Sequence, residues 1–168
     1  AWRIAHRLKL RPTRIDRWDI RSAHSRGHGS LTSQHADIHL VTTEGRLHAR
    51  TRLHVAGGLR AQVTGEVELP AASPLLPPDS DRVQLRFTAE HAPGRDLALS
   101  VSAGRSRVAG IVVEALTGHA HYLPPLVRVD DLTVRVGGAS LAAVGPFDLH
   151  GAGTALTLSG QVDGSAWS

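Results

Sequence analysis

The clearest pattern in the chain is an alternation of apolar and polar residues over residues 46–69. Apolar side chains such as Leu47 alternate with cationic ones such as Arg50, and the pattern resumes after Gly57-Gly58. Successive side chains of a strand point to opposite faces, so this segment has one apolar face and one charged face. Two alternating segments on either side of a glycine turn predict a β-hairpin that buries one face.

The same alternation predicts strands along most of the chain. A proline-rich segment, 70–81, interrupts the series and predicts a loop. No long window has helical periodicity, although a short helical turn remains possible at 116–123 or 140–144. The class predicted is therefore all-β. The further predicted strands are 2–10, 14–23, 36–43, 82–90, 96–103, 107–116, 127–136 and 154–163.

A glycine recurs inside similar strand segments at Gly65, Gly118 and Gly160. Glycine within a strand usually marks a bend, a bulge or the close approach of another group. The apolar residues are mainly 22 Ala, 21 Leu and 15 Val, with six aromatic residues, which would fill a two-layer core only lightly. We therefore predict a curved antiparallel sheet that forms an open groove or half-barrel, with a β-sandwich as the alternative.

Charge is distributed unevenly along the chain. Residues 1–60 contain twelve Lys and Arg against four Asp and Glu, and residues 61–168 contain seven against eleven. Loop 70–81 thus separates a basic amino-terminal part from an acidic carboxy-terminal part of one β-rich domain, 1–168, which begins at Ala1 in strand-like sequence and is expected to be a piece of a longer protein. The basic part would attract anions, although a solvated sheet face is the simpler explanation of the charge.

Three segments carry a family resemblance: Gly45-Arg46-Leu47, Leu53-His54-Val55-Ala56-Gly57 and 156–164. Over 36–69 and 127–164 the chain resembles the AsmA-like and TamB-like envelope proteins. The resemblance implies a long β-sheet curled into an apolar groove, anchored in the inner membrane of a Gram-negative cell and extending into the periplasm. It also implies a role in carrying phospholipid between membranes or in outer-membrane assembly, without catalysis or a cofactor. The chain has no run of about 18 apolar residues, so the anchor is expected outside this segment.

This resemblance makes the apolar strand positions candidate contacts for phospholipid acyl chains, with outer-membrane assembly proteins as further expected partners. Each methylene removed from water contributes about 0.8 kcal/mol, so such a groove would bind by contact area alone. Packing within the protein's own core is the alternative for each position, and the alternative function is a structural or protein-interaction β-sandwich domain of an envelope or secretion-system component without a lipid ligand. The candidate groove residues are Leu47, Leu53, Val55, Val63, Val67, Leu85, Phe87, Leu97, Leu99, Val101, Val134, Leu156, Leu158 and Val162.

Eleven histidines raise the possibility of a metal site. Three spacings are candidates: His24 with His28, His35 with His39, and His119 with His121. Only His119 and His121 share a face at strand spacing, whereas the other pairs would need a helix. No third ligand follows from the sequence, so we expect no metal.

The segment 24–30 contains His, Ser and Gly residues that would suit a hydrolase, which is a third and weaker functional hypothesis. None of the common catalytic fingerprints is present, so a polar hairpin loop is expected there. Asp130-Asp131 predicts a strand interruption or bulge, because adjacent strand residues point to opposite faces and would not form a catalytic pair. The sequence therefore predicts no enzyme activity.

The basic stretch 3–26 lies beside Trp2 and Trp18, a combination that occurs in nucleic-acid-binding surfaces. Single-stranded nucleic acid is usually held by several aromatic side chains that stack on bases. The basic strand at 46–54 contains no aromatic residue. Charge without base contact therefore predicts no nucleic-acid partner.

Overall fold

The computed structural model describes residues 3–15, 18–123, 126–148 and 155–162. Within these ranges, thirteen strands form one antiparallel sheet. The first seven are β1 (Ile4–Leu10), β2 (Thr13–Ile15), β3 (Trp18–Gly29), β4 (Ser33–Thr42), β5 (Arg46–His54), β6 (Arg60–Leu69) and β7 (Val83–His91). The other six are β8 (Leu97–Ala103), β9 (Ser106–Val108), β10 (Ile111–Leu123), β11 (Leu126–Val136), β12 (Ala139–Asp148) and β13 (Thr157–Val162).

The strands follow one another across the sheet as a meander. The order is β1-β3-β4-β5-β6-β7-β8-β10-β11-β12-β13, with the short strands β2 and β9 paired to β3 and β10. The predicted all-β class and curved, open antiparallel sheet are confirmed, and the sheet is not closed into a barrel. The described ranges form a single sheet, so the two-sheet sandwich is not the architecture found there. They contain no helix that is long and apolar enough to cross a membrane.

The sequence left a helical turn possible in two segments and predicted a loop in a third, and the loop prediction was wrong. Segments 116–123 and 140–144 are not helical turns but parts of β10 and β12, each paired with strands on both sides. Segment 24–30 is not a loop, because β3 extends to Gly29 and pairs with both β1 and β4. In each case ladder hydrogen bonds with two neighbouring strands outweigh the weak local preference for a turn.

The predicted hairpin of β5 and β6 is confirmed. Its turn contains Gly57 and Gly58 with φ angles of 76° and 111°, which side chains of L-residues rarely adopt. Register across the hairpin pairs Leu47 with Val67 and Leu53 with Ala61. All four of these apolar residues therefore lie on one face of the sheet.

Cross-strand register extends this apolar face through neighbouring strands. One row runs from Leu47 to Val67 and Leu85, each directly opposite the next. Beyond β8 the row continues through Leu116 and Val134. The Arg, His, Ser and Thr residues at the intervening positions form the opposite, polar face.

The apolar face is not covered by a second layer of the described chain. Among the described residues, only four apolar side chains are buried, those of Ile20, Ala49, Val83 and Ala143, and no large side chain is fully buried. The molecule exposes 11766 Å², whereas a compact protein of this size exposes about 8000 Å². The sheet therefore has the surface of a single layer rather than of a globule with a closed core.

The recurring glycines allow large side chains on the adjacent strand to lie across the backbone, which confirms the predicted close approaches. They pair as Gly65 with Phe87, Gly118 with Leu132, and Gly160 with Leu141. A Cβ added to Gly65 would lie 2.9 Å from the Phe87 ring, and one added to Gly118 would lie 2.9 Å from Leu132. Because these glycines have no side chain, bulky side chains from the adjacent strand can pack directly against the backbone at these positions.

The bulge predicted at Asp130-Asp131 is also confirmed, with one correction. The register of β11 shifts between Val129 and Leu132, so the strand contains an extra residue at this point. The shift places both carboxylates on the polar face, where Asp130 contacts His121 and Asp131 contacts His119. The expectation that the two carboxylates point to opposite faces was wrong, because a bulge suspends strict alternation.

Candidate functional site

The apolar face is the most extensive unusual surface in the described part of the chain. Strands β5 to β11 contribute most of the predicted groove residues, and those residues are half-buried except Leu53, which is 37% exposed. At the β13 edge, Leu158 and Val162 are 77% and 65% exposed. Val55 lies in the turn after β5 and Leu156 lies before β13, so neither is a strand position. The sheet thus brings twelve of the fourteen candidates onto its strands, where alternation assigns them to one face.

One end of the apolar face is closed by loop 70–81. Leu75 from this loop lines a depression of about 340 Å³ together with Ile20, Leu40 and Leu47. Ile20, Leu40 and Leu75 are not among the groove residues that the sequence predicted. The alternation of 36–43 pointed to Leu40, whereas only the folded loop reveals the position of Leu75.

Hydrogen bonds hold loop 70–81 in place at both of its ends. The backbone N–H of Ser73 donates to Pro70 O at 2.8 Å, and Ser73 is only 4% exposed. Farther along, the hydroxyl of Ser80 accepts from the backbone N–H of Ala109 at 3.0 Å. Loop 70–81 is therefore tied by hydrogen bonds to the turn between β9 and β10.

A second depression of about 320 Å³ lies near the centre of the sheet. Its apolar lining includes Phe87, Val101, Gly118 and Leu132. Phe87 pairs with Val101, which pairs with Gly118. The hollow arises where the small glycine lies between larger aliphatic and aromatic neighbours.

Glu44 lines the closed end and is the charged group there. Its Oε1 accepts a hydrogen bond from the Thr43 hydroxyl at 2.7 Å, and its buried Oε2 has no partner within the described residues. The hydrogen bonds of Thr43 and Thr42 hold the pKa of Glu44 below its ordinary value. A negative carboxylate therefore borders an otherwise apolar depression.

The polar face contains a stack of histidines that the sequence analysis did not identify. The rings of His24, His39 and His48 follow one another on three adjacent strands, with centroids 4.5 and 4.1 Å apart. Burial, followed by the electrostatic effect of His48 and His24, lowers the pKa of His39. The stack depends on the register of β3, β4 and β5, which cannot be read from spacing within a single strand.

The other histidine pairs raised by the sequence are arranged as strand geometry predicts. His28 stacks on His35 of the next strand, with ring centroids 5.6 Å apart, so i and i+4 neighbours are not the relevant pairs. His119 and His121 do share a face, but each contacts its own carboxylate. No group of three or more His, Cys, Asp or Glu among the described residues is arranged to hold a metal ion.

Asp130 has the most elaborate hydrogen bonding of these carboxylates. Burial raises its pKa, but hydrogen bonds from His121 and Arg128 outweigh burial, so the pKa lies below its ordinary value. Nε of Arg128 donates to Asp130 at 3.1 Å. The group therefore remains a carboxylate across the neutral range and ties β10 to the bulge of β11.

In the segment suggested for hydrolase chemistry, the Ser25 hydroxyl lies 3.3 Å from Nε2 of His6 on β1, whereas Ser30 has no histidine partner within the described residues. The hydroxyl of Ser30 accepts hydrogen bonds from the backbone N–H groups of Thr32 and Ser33, at 3.3 and 3.2 Å. His24 and His28 are engaged in stacks on the polar face. Trp2, which was considered for base stacking, lies outside the described residues.

No family model matches this chain, and no curated protein or solved structure shows significant similarity to it.

Proposed function

We propose that this chain is a lipid-binding segment of a periplasmic protein anchored in the inner membrane, whose apolar face carries phospholipid acyl chains between membranes or supports outer-membrane assembly. The observation that carries the proposal is the continuous apolar face that no second layer of the described chain covers. Cellular location and the AsmA-like and TamB-like relationship are part of the proposal. The role is binding rather than turnover.

The chemistry of the face suits an acyl chain. Its three central rows across β6 to β11 consist of Leu, Val, Ala and Gly with one phenylalanine, Phe87, whereas an outer row includes His91 and Tyr122. The central rows offer dispersion and hydrophobic contact without hydrogen bonds that would select one headgroup. Loop 70–81 gives the face one closed end, so a chain lying along it would meet Leu75 there.

The expected affinity is compatible with carriage. Ten methylenes that each lose half of their exposure contribute about 4 kcal/mol, which corresponds to a dissociation constant of about 1 mM before ordering costs. Contact with several rows of the curved face increases the buried area. Binding by area of this kind gives weak, exchangeable occupancy, as transfer between membranes requires.

The test compares two adjacent residues of β6. Val63 is half-buried on the apolar face, and the neighbouring Thr64 is exposed on the polar face. Val63→Asp should abolish binding of a phospholipid with a fluorescent acyl chain, and Thr64→Asp should leave it unchanged. Circular dichroism and thermal unfolding establish that both variants are folded, and Val63→Thr, which keeps the shape, should weaken binding severalfold if the aspartate variant does not fold.

Two results would count against the proposal. Wild-type protein that neither extracts phospholipid from vesicles nor retains it in native mass spectrometry would not be a carrier. A lipid-free, face-to-face dimer in light scattering, broken by Val63→Asp, would instead support the structural and interaction role. In that case a second sheet, rather than lipid, covers the apolar face.

A further inference from the structure

A cavity lies on the polar face, at the end of the sheet opposite loop 70–81. It has a volume of about 780 Å³. The turn 92–96 after β7 lines it together with the ends of β5 and β6. This turn lies close to the turn 55–59 after β5, since a Cβ added to Gly58 would lie 2.6 Å from Pro93. Backbone of the turn 92–96 therefore helps to shape the cavity.

Arginines from separate elements converge on this cavity. Arg52 comes from β5, Arg60 from β6, Arg95 from the second turn and Arg128 from β11. Arg128 is already paired with Asp130 at 3.1 Å. Within the described residues, the other three guanidinium groups have no carboxylate within 4.0 Å.

The acidic residues of the cavity do not neutralise these arginines. Glu90 and Asp96 are its two carboxylates, and Oε1 of Glu90 accepts a hydrogen bond from Gln62 at 2.8 Å. The hydrogen bond from the neutral Gln62 amide leaves Glu90 negatively charged, so three arginines without ion-pair partners face two carboxylates and one positive charge is in excess. Concentrating like charges in a concavity is unfavourable unless a counter-ion occupies it.

The lining also restricts the class of ligand. Guanidinium groups recognise phosphate through paired, charge-assisted hydrogen bonds. No Phe, Tyr or Trp lines the cavity, so the large aromatic rings on which nucleobases most often stack are missing from it. Its four histidines, His35, His54, His91 and His121, would add ring N–H donors for phosphate. Phosphate esters without a base, or the phosphate of a lipid headgroup, have the required chemistry.

We propose that this cavity is a binding site for a phosphate-bearing anion, with Arg52, Arg60 and Arg95 as its principal contacts. The site lies on the face opposite the proposed acyl surface and does not depend on that function. Its ligand is either a free phosphate compound or the headgroup of an anionic phospholipid at a membrane surface. The two sources share one chemistry and are separated by experiment.

Calorimetric titration with inorganic pyrophosphate tests the free ligand, and flotation with vesicles containing phosphatidylglycerol tests the headgroup. Loss of one charged hydrogen-bonding partner weakens binding by about tenfold, so Arg52→Gln and Arg60→Gln should each have that effect and their combination a larger one. Arg46→Gln is the matched control, because Arg46 is on the same strand and face but outside the cavity. It should leave binding unchanged.

Binding of pyrophosphate identifies a soluble ligand, and binding of vesicles alone identifies the lipid headgroup. Failure of the wild-type protein to bind either one overturns the assignment. So does an equal loss of affinity in Arg46→Gln, which would indicate general surface charge. Val63→Asp should not alter pyrophosphate binding, so failure of this site is distinguishable from failure of the acyl-binding proposal.

Discussion

Gly65 provides the sharpest test of the packing of the apolar face. A methyl group at this position would lie 2.9 Å from the Phe87 ring and would overlap the carbonyl oxygen of His48. A ring can rotate away, but the backbone oxygen belongs to the β5–β6 ladder and cannot move without breaking register. Overpacking of this kind costs about 1–3 kcal/mol, so Gly65→Ala should lower the free energy of unfolding by that amount.

The measurement is urea or thermal unfolding followed by circular dichroism. A loss of 1–3 kcal/mol corresponds to a fall of roughly 2–12 °C in melting temperature for a domain of this length. Gly104→Ala is the control, because nothing lies within 4 Å of a Cβ added there and its φ is not positive. If Gly65→Ala melts with the wild type, the large side chain is not seated against the glycine as described.

Three further predictions concern pH and association. Burial and the adjacent His48 and His24 lower the pKa of His39 from 6.5, so the native state binds fewer protons than the unfolded state and stability falls as pH drops below that value. His39→Gln should therefore reduce the loss of stability between pH 7.5 and pH 5, measured by urea titration. An equal loss in the variant and the wild type would contradict this. The lowered pKa of Asp130 stabilises the fold above 3.8 and less as pH falls through the folded value, so Asp130→Asn should destabilise at pH 7 more than in acid. The uncharged edge strand β13 should promote self-association, which Ser159→Lys should reduce in light scattering.

Local patterning was sufficient for most of the strands. Alternation predicted the β5–β6 hairpin and its turn at Gly57-Gly58 because side-chain direction in a strand is fixed by backbone geometry. The same rule assigned the apolar side chains of β6 to β8 to one face. Prediction failed at 24–30, where two glycines and polar side chains suggested a loop but pairing of β3 with β1 and β4 decided the structure.

The candidate sites also differ in how far the sequence predicts them. The apolar face followed from periodicity, so the predicted groove residues lie mainly where expected. The histidine stack and the arginine cavity did not, because the stack combines residues from three strands, and the arginines come from three strands and one turn. His24 and His39 are fifteen positions apart in the sequence, and only the register of β3 against β4 places their rings in contact.

By itself the sequence determined that the chain forms strands and which residues share a face, since both depend on a two-residue repeat that each strand carries. The tertiary structure alone decided that these strands form one uncovered layer, that loop 70–81 closes one end, and that Arg52, Arg60 and Arg95 surround one cavity. Those features depend on strand order, register and turn position, which arise from contacts between residues far apart in the chain.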